Sequence, residues 1–342
     1  MDPPTHGLLG AVIGQAFFAR RLGRGRALGF GAALNMLPDI DVVMVPLLGG
    51  LAEWRYHRTA THGLLVLPFV GLALGTLLWR EHRASGGESS RATWVALALA
   101  ALLAHPLADA FTSYGTVLFW PWPRRYAWDA LPIVDLVFSG VLLLALVLGF
   151  VWRRHAGRAQ AAACAALALL VAYEAYGLHL NRVAEREARR QAEVLKAQPD
   201  QVRAYPVLLL PWLRRVVVRQ GYGLAVGWVS TWRPGPIVWH RLEVAHGPAV
   251  DAARRLEPVR MFEWFAMGQT NATVQPELRQ IEIDDLRYGF PNDPRHGIWG
   301  VRARLTDDGQ LAGKVERVRR PRPPAGTLVG WLWRATFRGE IE

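Results

Sequence analysis

The chain has 342 residues, a formal net charge of +12 and a hydrophobic content of 51%, with the apolar residues concentrated before about residue 180. The first 195 residues contain no lysine, and their arginines stand in short clusters between apolar runs. This arrangement is typical of an oriented membrane protein and not of a nucleic-acid-binding protein, so we expect no nucleic-acid partner. The single cysteine, Cys164, excludes an intrachain disulfide and a metal site built from thiolates.

Apolar runs before residue 180 predict a multi-spanning α-helical membrane domain of about six helices. Since about 20 helical residues cross a hydrocarbon core, four runs are long enough: 62–79, 93–111, 133–151 and 160–180. Two earlier runs are weaker, 7–19 because it is short and 27–49 because polar residues and Pro38 interrupt it. These two could be full spans or half-helices that enter the membrane and return.

The arginines predict the orientation of this domain. If all six runs span, ten arginines share one side of the membrane: Arg20, Arg21, Arg24, Arg26, Arg80, Arg83, Arg91, Arg153, Arg154 and Arg158. By the positive-inside rule that side is the cytoplasm. We therefore expect a multi-pass protein whose N-terminus and whose residues after 180 face outward. Four arginines oppose this bias: Arg55, Arg58, Arg124 and Arg125.

The remainder of the chain predicts a soluble β-rich domain. Residues 181–200 are charged and helix-favouring, which indicates a helical stalk between the membrane domain (1–180) and the outer domain (201–342). Short strand-like runs separated by Gly and Pro predict one antiparallel sheet of six to eight strands. They include 207–210, 216–218, 222–230, 236–244, IEIDDLRYGF and GIWGVRARL. The basic run KVERVRRPRPP is either a solvated surface or a contact with anionic lipid headgroups.

Acidic residues and histidines collect at the outward ends of the predicted helices. A charge at membrane depth costs about 2.5–3.5 kcal/mol on insertion scales, so it needs a partner, water or a function. His105 and Asp109 are four residues apart in LLAHPLADAF, so one helix face presents both to a shared ion, or to each other as a hydrogen-bonded pair. Asp39 and Asp41 in LPDID could bridge two metal ions, or could simply form an Asp-rich turn or helix cap.

The segment HRTATHG adds a second group of candidates at the start of a predicted span: His57, Arg58, Thr61 and His62. Imidazole binds zinc and guanidinium matches phosphate oxygens, so the segment favours a metal site beside a phosphate site. An interfacial loop capped by Thr61 is the alternative. His6 and Asp135 are further candidate ligands. Each piece is ambiguous by itself, but all of them map to the outer layer of the membrane.

Taken in order, these motifs resemble the YdjM-type inner-membrane proteins, a family described as membrane-bound metal-dependent hydrolases. The matching residues are His6, Asp39, Asp41, His57, Arg58, Thr61, His62, His105, Asp109, Thr112, Gly115 and the WPWP at 120–123. The chain departs from the family pattern at three positions, with Thr59 for Gly, Gly63 for Ser and Val42 for His. The family is also distantly similar to helical zinc-dependent phospholipases C. The resemblance implies the bacterial inner membrane and a metal-dependent hydrolytic activity.

We therefore expect a membrane hydrolase that contacts membrane lipid and acts at the outer face on a phosphoester of a lipid or isoprenoid, with an ester or amide as the alternative. Mixed His and Asp ligation favours Zn²⁺, with Mn²⁺ as the second choice. The expected metal ligands are His6, Asp39, Asp41, His57, His62, His105, Asp109 and Asp135. The expected catalytic residues are Arg58, which would hold phosphate, Thr61 and Asp41.

A non-enzymatic membrane protein is the competing hypothesis. In it, the polar layer binds a metal structurally or forms an ion path, and the outer domain recruits a partner. An ion path needs polar residues through the whole bilayer, but the cytoplasmic halves of the predicted helices are nearly pure Ala, Leu and Val. The sequence therefore favours a one-sided pocket.

Overall fold

The computed structural model describes residues 1–43, 51–194, 199–221, 223–306 and 311–341. The chain divides into two compact units, Met1–Gly177 and Leu178–Glu342, called here the helical unit and the β-rich unit. Residues 44–50, at the end of the predicted 27–49 segment, lie outside the described residues, as do residues 195–198 of the predicted stalk.

The helical unit begins with two short helices that pack closely against each other. Helix α1 (Pro3–Ile13) continues through a π-helical turn, Gly14–Phe18, into α2 (Ala19–Leu22). Gly23 then reverses the chain with φ of 80°, a conformation that only glycine adopts readily, and α3 (Arg24–Met36) returns beside α1.

Glycines allow the close approach of α1 and α3. A Cβ atom built on Gly10 would overlap the carbonyl oxygen of Gly31, and one built on Gly31 would overlap the carbonyl oxygen of Gly10. Small residues permit such contact between helix backbones in membrane proteins. Asn35, near the end of α3, donates from Nδ2 to the Ala101 carbonyl at 2.7 Å. These contacts hold the end of α3 and the sixth residue of the chain near the segment around residue 105.

Further helices follow along the described part of this unit. They are α4 (Ala52–Tyr56), α5 (Leu67–Ala84), α6 (Arg91–Ala110), α7 (Leu136–Val151) and α8 (Ala156–Val194). Short 3₁₀ turns at Leu37–Asp39 and Ala60–His62 precede the longer elements. Helix α8 runs without interruption past the boundary between the two units.

The prediction of about six membrane spans is not confirmed. By length and composition, two described helices could cross a membrane, Arg91–Ala110 and Ala156–Ala192. The pair Ala52–His62 and Leu67–Ala84 is bent by 66° and adds a third only if it acts as one broken span. Helix α7 is apolar but has 16 residues, fewer than the roughly 20 that a hydrocarbon core requires. The structure thus shows a helical N-terminal region with two or three candidate spans.

The β-rich unit contains two antiparallel four-stranded sheets instead of the single predicted sheet. The first has the order β1 (Gln201–Pro206), β2 (Leu213–Gln220), β3 (Gly223–Ser230), β4 (His240–Leu242). The second has the order β5 (Thr270–Gln275), β6 (Gln280–Asp285), β7 (Trp299–Leu305), β8 (Leu311–Arg319). The predicted strand at 207–210 is wrong, because this stretch is a bend in which Leu209 has φ of 75°.

Three helices of this unit were not predicted: α9 (Pro248–Arg255), α10 (Glu257–Phe265) and α11 (Ala325–Phe337). The core of the first sheet forms against the last part of α8. Ala184, Ala188 and Ala192 recur every fourth residue, so they share one helix face, and they pack with valines of the sheet such as Val216 and Val229. Their small side chains let the helix approach the sheet closely.

Replacing Gly31 by alanine tests the crossing of α1 and α3. The added methyl group must separate the two backbones, so we expect a lower unfolding temperature and a loss of about 1–3 kcal/mol, as for an overpacked core. Gly29→Ala is the matched control, because a Cβ at Gly29 meets no atom within 4 Å and alanine is the better helix former. Thermal unfolding of both variants in lipid nanodiscs makes the comparison. Equal unfolding temperatures would contradict the close approach.

Candidate metal centre

Four side chains from three separate segments converge on one point in the helical unit: Asp39, His62, His105 and Asp109. The Nε2 atoms of His62 and His105 are 3.0 Å apart. Each of these nitrogens lies 3.4 Å from Asp39 Oδ1 and 3.4 Å from Asp109 Oδ2. A tetrahedral zinc ion with ligands at about 2.0–2.2 Å separates its donor atoms by about 3.3–3.6 Å. The spacing of the four atoms therefore fits such an ion.

Hydrogen bonds on the far side of each imidazole indicate which nitrogen faces this point. His105 Nδ1 donates to the Asn35 carbonyl at 2.6 Å. Thr61 Oγ1 donates its single proton to Asp41 at 2.7 Å, so it accepts from His62 Nδ1 at 2.9 Å. A neutral imidazole carries one N–H proton, so both Nε2 atoms present lone pairs to each other. Two lone pairs at 3.0 Å repel unless a proton or a metal ion lies between them.

The two carboxylates present free oxygens to the same point. Asp109 Oδ1 accepts from His6 Nε2 at 3.1 Å and from Arg58 Nη2 at 2.9 Å, and it contacts the amino group of Met1. Asp109 Oδ2 and Asp39 Oδ1 are buried and have no hydrogen-bond partner among the described residues. Since buried polar atoms are nearly always satisfied, these two oxygens indicate a ligand that the amino-acid chain does not itself supply.

A second, smaller group adjoins the first and shares Asp39 with it: Asp39, Asp41 and His57. Asp41 Oδ1 and His57 Nδ1 are 2.8 Å apart, which is the distance of a hydrogen bond and shorter than the spacing of two metal ligands. Burial raises the pKa of Asp41, but hydrogen bonds from His57 and Thr61 and the nearby charges outweigh burial and hold that pKa below its usual range. Asp41 is therefore an ionised acceptor beside the first group.

Arg58 supports Asp109 from within the protein. Its side chain is 2% exposed, and besides Asp109 it donates to Thr112 Oγ1 at 3.0 Å and lies over the ring of Tyr114. Its φ of 60° is unusual for a residue other than glycine, and such strain of about 1–3 kcal/mol is concentrated at functional sites. The expected role of Arg58 in holding phosphate stays a prediction. In the structure its Nη groups contact Thr112 and Asp109.

Two of the expected ligands lie outside both groups. His6 stacks on the ring of His105 with centroids 3.6 Å apart and binds the outer oxygen of Asp109, so it positions a ligand. Asp135 is the N-cap of α7, and its carboxylate accepts the amide protons of Val137 and Phe138 at 2.9 Å. The Tyr173 hydroxyl also donates to this carboxylate. In the structure, Asp135 therefore anchors a helix end.

Most of the contacts that orient the candidate metal ligands could not be predicted from the sequence. The Asn35 acceptor is a backbone carbonyl, which every residue carries, and the Met1 amino group has no side-chain signal at all. Thr61 was singled out, but as a catalytic residue, whereas the structure places its hydroxyl between His62 and Asp41. Thr112 was recognised only as part of the family motif.

Comparison with protein families relates the chain to a known family. A model of the family described as YdjM inner membrane protein matches residues 1–180, more than half of the chain. These residues include every member of both metal-ligand groups. No curated protein and no solved structure matches the chain.

Metal analysis of purified variants tests the centre. We expect the wild-type protein, purified without chelators, to hold at least one divalent ion, and His62→Ala and Asp109→Ala to lose it, since each removes one of four donors. His155→Ala is the control, because His155 is exposed in the turn before α8. The readout is elemental analysis by mass spectrometry. Metal retained in both cluster variants, or absent from the wild type, would exclude the centre.

Proposed function

Because this chain belongs to the YdjM inner membrane protein family, we propose that it is a membrane-bound, metal-dependent hydrolase. The resemblance predicted from the motifs is confirmed by the family match. One observation carries the proposal: two imidazole lone pairs and two unpartnered carboxylate oxygens converge at the spacing of a tetrahedral ion. Zn²⁺ is the ion that nitrogen and oxygen donors in this geometry favour, with Mn²⁺ as the alternative.

Asp39 is the ligand that distinguishes a catalytic from a structural centre. Structural zinc sites use four protein ligands, whereas catalytic sites use three and leave one position open. The side chains of His62, His105 and Asp109 are fully buried, but Asp39 is 9% exposed and also belongs to the second group. We propose that the three buried side chains are the permanent ligands. As the most exposed of the four donors, Asp39 would be the one that water could replace.

The residues beside Asp39 supply acid–base chemistry. A divalent ion at this position would act as a Lewis acid and make water a stronger nucleophile. Asp41 is ionised and lies next to the proposed open position, so in this proposal it accepts a proton from the water. His57, which is hydrogen bonded to Asp41 at 2.8 Å, helps to hold the Asp41 carboxylate in the ionised form that can accept this proton. Thr61 fixes the orientation of Asp41 and His62 together.

A lipid-borne phosphoester is the substrate class that we propose. Backbone hydrogen bonds tie the segment of Arg58 and Leu64 to residues 117 and 118, and the WPWP motif follows directly. Trp122 in that motif is 63% exposed, and Trp120 is 41% exposed. Exposed tryptophans favour the membrane–water interface, where lipid headgroups lie. The polar layer and the aromatic residues together support a substrate that enters from the headgroup region of the outer leaflet.

A structural metal site is the second candidate, favoured by the burial of three donors and by the presence of a fourth. The two candidates predict different consequences of changing Asp41. Asp41 is not among the four donors of the first group, so its substitution should leave metal bound in either case. It should abolish turnover only if the centre is catalytic.

Asp41→Asn tests catalysis directly. The full chain is reconstituted with zinc in nanodiscs that contain phosphatidylglycerol and a polyprenyl phosphate, and released products are measured by mass spectrometry. We expect turnover by the wild type and a loss of about 10²–10⁴-fold in Asp41→Asn, the usual contribution of a general base, with metal content unchanged. Glu88→Gln, an exposed carboxylate before α6, is the control and should retain full activity.

Three outcomes would contradict this proposal. The first is a metal-loaded, folded wild-type protein that hydrolyses neither phosphoesters nor carboxylic esters nor amides. The second is an Asp41→Asn variant as active as the wild type. The third is a chain that unfolds when the metal is removed and shows no turnover when it is restored, which is the behaviour of a structural site.

A further inference from the structure

Helix α11 of the β-rich unit exposes an apolar face on the side away from its core. Its inner face is buried, where Trp331, Leu332 and Ala335 pack with residues of the first sheet. On the other side, Val329 and Trp333 are 51% and 57% exposed, and they share one helix face because they lie four residues apart. A helix that is apolar all round is normally buried all round, so the outer face indicates a second partner.

Three more aromatic rings extend this face beyond Trp333. Phe337 follows one turn later on α11, with its ring centroid 4.4 Å from that of Trp333. The Trp232 ring lies 5.5 Å from Phe337, and the Trp212 ring lies 5.3 Å from Trp232. We call these four rings together with Val329 the aromatic face. Contiguous exposed apolar residues mark an interaction surface, whereas scattered ones do not.

Hydrogen bonds to the backbone hold the aromatic face in position. The Ser230 hydroxyl at the end of β3 donates to the Thr336 carbonyl of α11 at 2.7 Å, and both residues are buried. The Thr231 hydroxyl donates to the Trp212 carbonyl at 2.9 Å, and the Thr231 amide donates to the same oxygen at 2.8 Å. The exposed rings therefore stand on segments that the core of the unit fixes.

Arginines border the aromatic face at the end of α11. Arg233 and Arg338 are exposed, and each directly follows an aromatic residue of this face. Arg233 reaches the end of the helix, because a Cβ built on Gly339 would lie 3.9 Å from its Cδ. In the part of the chain that the structure describes, no carboxylate lies within 4.0 Å of either guanidinium. Arg334 adds a third cation and pairs only with the exposed Glu340, at 3.8 Å.

The chemistry of this surface matches the headgroup region of a membrane. Tryptophan rings favour the membrane–water interface, where the apolar body and the polar N–H group are both accommodated. Arginines beside them are attracted to anionic headgroups, while their aliphatic stems cover apolar surface. Exposed aromatic rings bordered by arginines without carboxylate partners therefore fit an anionic lipid surface.

Helix α8 tethers this unit to the membrane that would present such a surface. The helix is one of the two candidate spans. Ala184 lies about one helical turn beyond its apolar run 160–180, and it packs in the core of the first sheet. A lipid surface is thus a partner that the β-rich unit always has available.

We propose that the aromatic face docks on an anionic phospholipid surface. Trp232 and Trp333 would enter the headgroup layer, and Arg233 and Arg338 would contact lipid phosphates. The docking would hold the β-rich unit on the bilayer without any partner protein. This inference is independent of the metal centre and of the proposed hydrolysis.

A fluorescent reporter on the aromatic face tests the proposal in the full chain. Val329→Cys in a Cys164→Ala background carries the polarity-sensitive dye NBD and leaves all four rings in place. The protein is placed in nanodiscs of phosphatidylcholine alone or mixed with phosphatidylglycerol, and lipid with a spin label near the headgroup quenches a dye at the bilayer surface. Leu278→Cys is the matched reporter, because Leu278 is a 66% exposed apolar side chain between β5 and β6.

We expect spin-labelled lipid to reduce the emission of the dye at position 329 at least about twofold in discs with phosphatidylglycerol. Quenching should be much weaker in phosphatidylcholine alone, and weaker at position 278 in both lipids. Replacing Trp232 and Trp333 together by alanine should abolish the quenching at position 329. Both side chains are 57% exposed, so we expect the unfolding temperature of this variant to stay unchanged.

The charge contribution is tested separately. Replacing Arg233 and Arg338 together by glutamine should lower the quenching in discs with phosphatidylglycerol to the level seen in phosphatidylcholine alone. Arg304→Gln is the control and should leave the quenching unchanged, because Arg304 is 58% exposed and forms a surface ion pair with Glu316.

The proposal is overturned if the dyes at positions 329 and 278 are quenched equally, or if quenching at position 329 is the same with and without phosphatidylglycerol. It is also overturned if the folded protein without Trp232 and Trp333 keeps the quenching. A blue-shifted emission at position 329 that appears only in discs holding two copies, without quenching by lipid, would assign the face to a second copy of the chain instead.

Discussion

The arrangement of the helical unit depends on one electrostatic problem, the convergence of two imidazole lone pairs and two carboxylate oxygens on a single buried point. All four are electron-rich, so without a cation they repel each other at distances of 3.0–3.4 Å. In an apolar environment that repulsion is weakly screened, and leaving the oxygens unpaired adds a desolvation cost. A bound divalent ion changes each of these repulsions into a ligand bond.

The surrounding residues orient the imidazoles and carboxylates that form this group. The Asn35 carbonyl and the Thr61 hydroxyl each fix one imidazole tautomer, and Arg58 and His6 hold the outer oxygen of Asp109. Such outer partners of metal ligands orient the ligands and commonly change affinity by 10–100-fold. The close crossing of α1 and α3 at Gly10 and Gly31 places His6 and Asn35 against α6. The glycine packing between α1 and α3 therefore affects the candidate metal ligands through the hydrogen bonds that Asn35 and His6 make with His105 and Asp109.

Several features of this site could be predicted because their signals are local. The four-residue interval between His105 and Asp109 predicts that one helix face presents both, and their donors are in fact in one group. Asp135 shows the limit of such reasoning, because membrane depth predicts which layer holds a carboxylate but not whether it faces an ion or caps a helix. The predicted number of spans is not confirmed, because an apolar run such as 7–19 is divided here among an α-helix, a π-helical turn and a second short helix.

The β-rich unit shows a similar division between local and long-range information. The apolar runs at 216–218 and 222–230 correspond to β2 and β3, because enrichment in β-branched and aromatic residues is a property of the strand itself. The division into two sheets depends on pairings between distant segments, which alternation does not encode. The bend at 207–210 escaped prediction for a related reason, since an apolar run can line a cavity as readily as it can form a strand.

X-ray absorption spectroscopy of the metal-loaded protein tests whether Asp39, His62, His105 and Asp109 hold the ion. At the zinc edge we expect a first shell of nitrogen and oxygen atoms at about 2.0–2.2 Å, with the multiple-scattering signal of two imidazoles and no sulfur. His105→Ala should reduce the imidazole signal to one ring or eliminate the zinc. A shell made only of oxygen atoms, with no imidazole scattering, would show that the ion binds elsewhere and would contradict the claim that these four side chains form a metal centre.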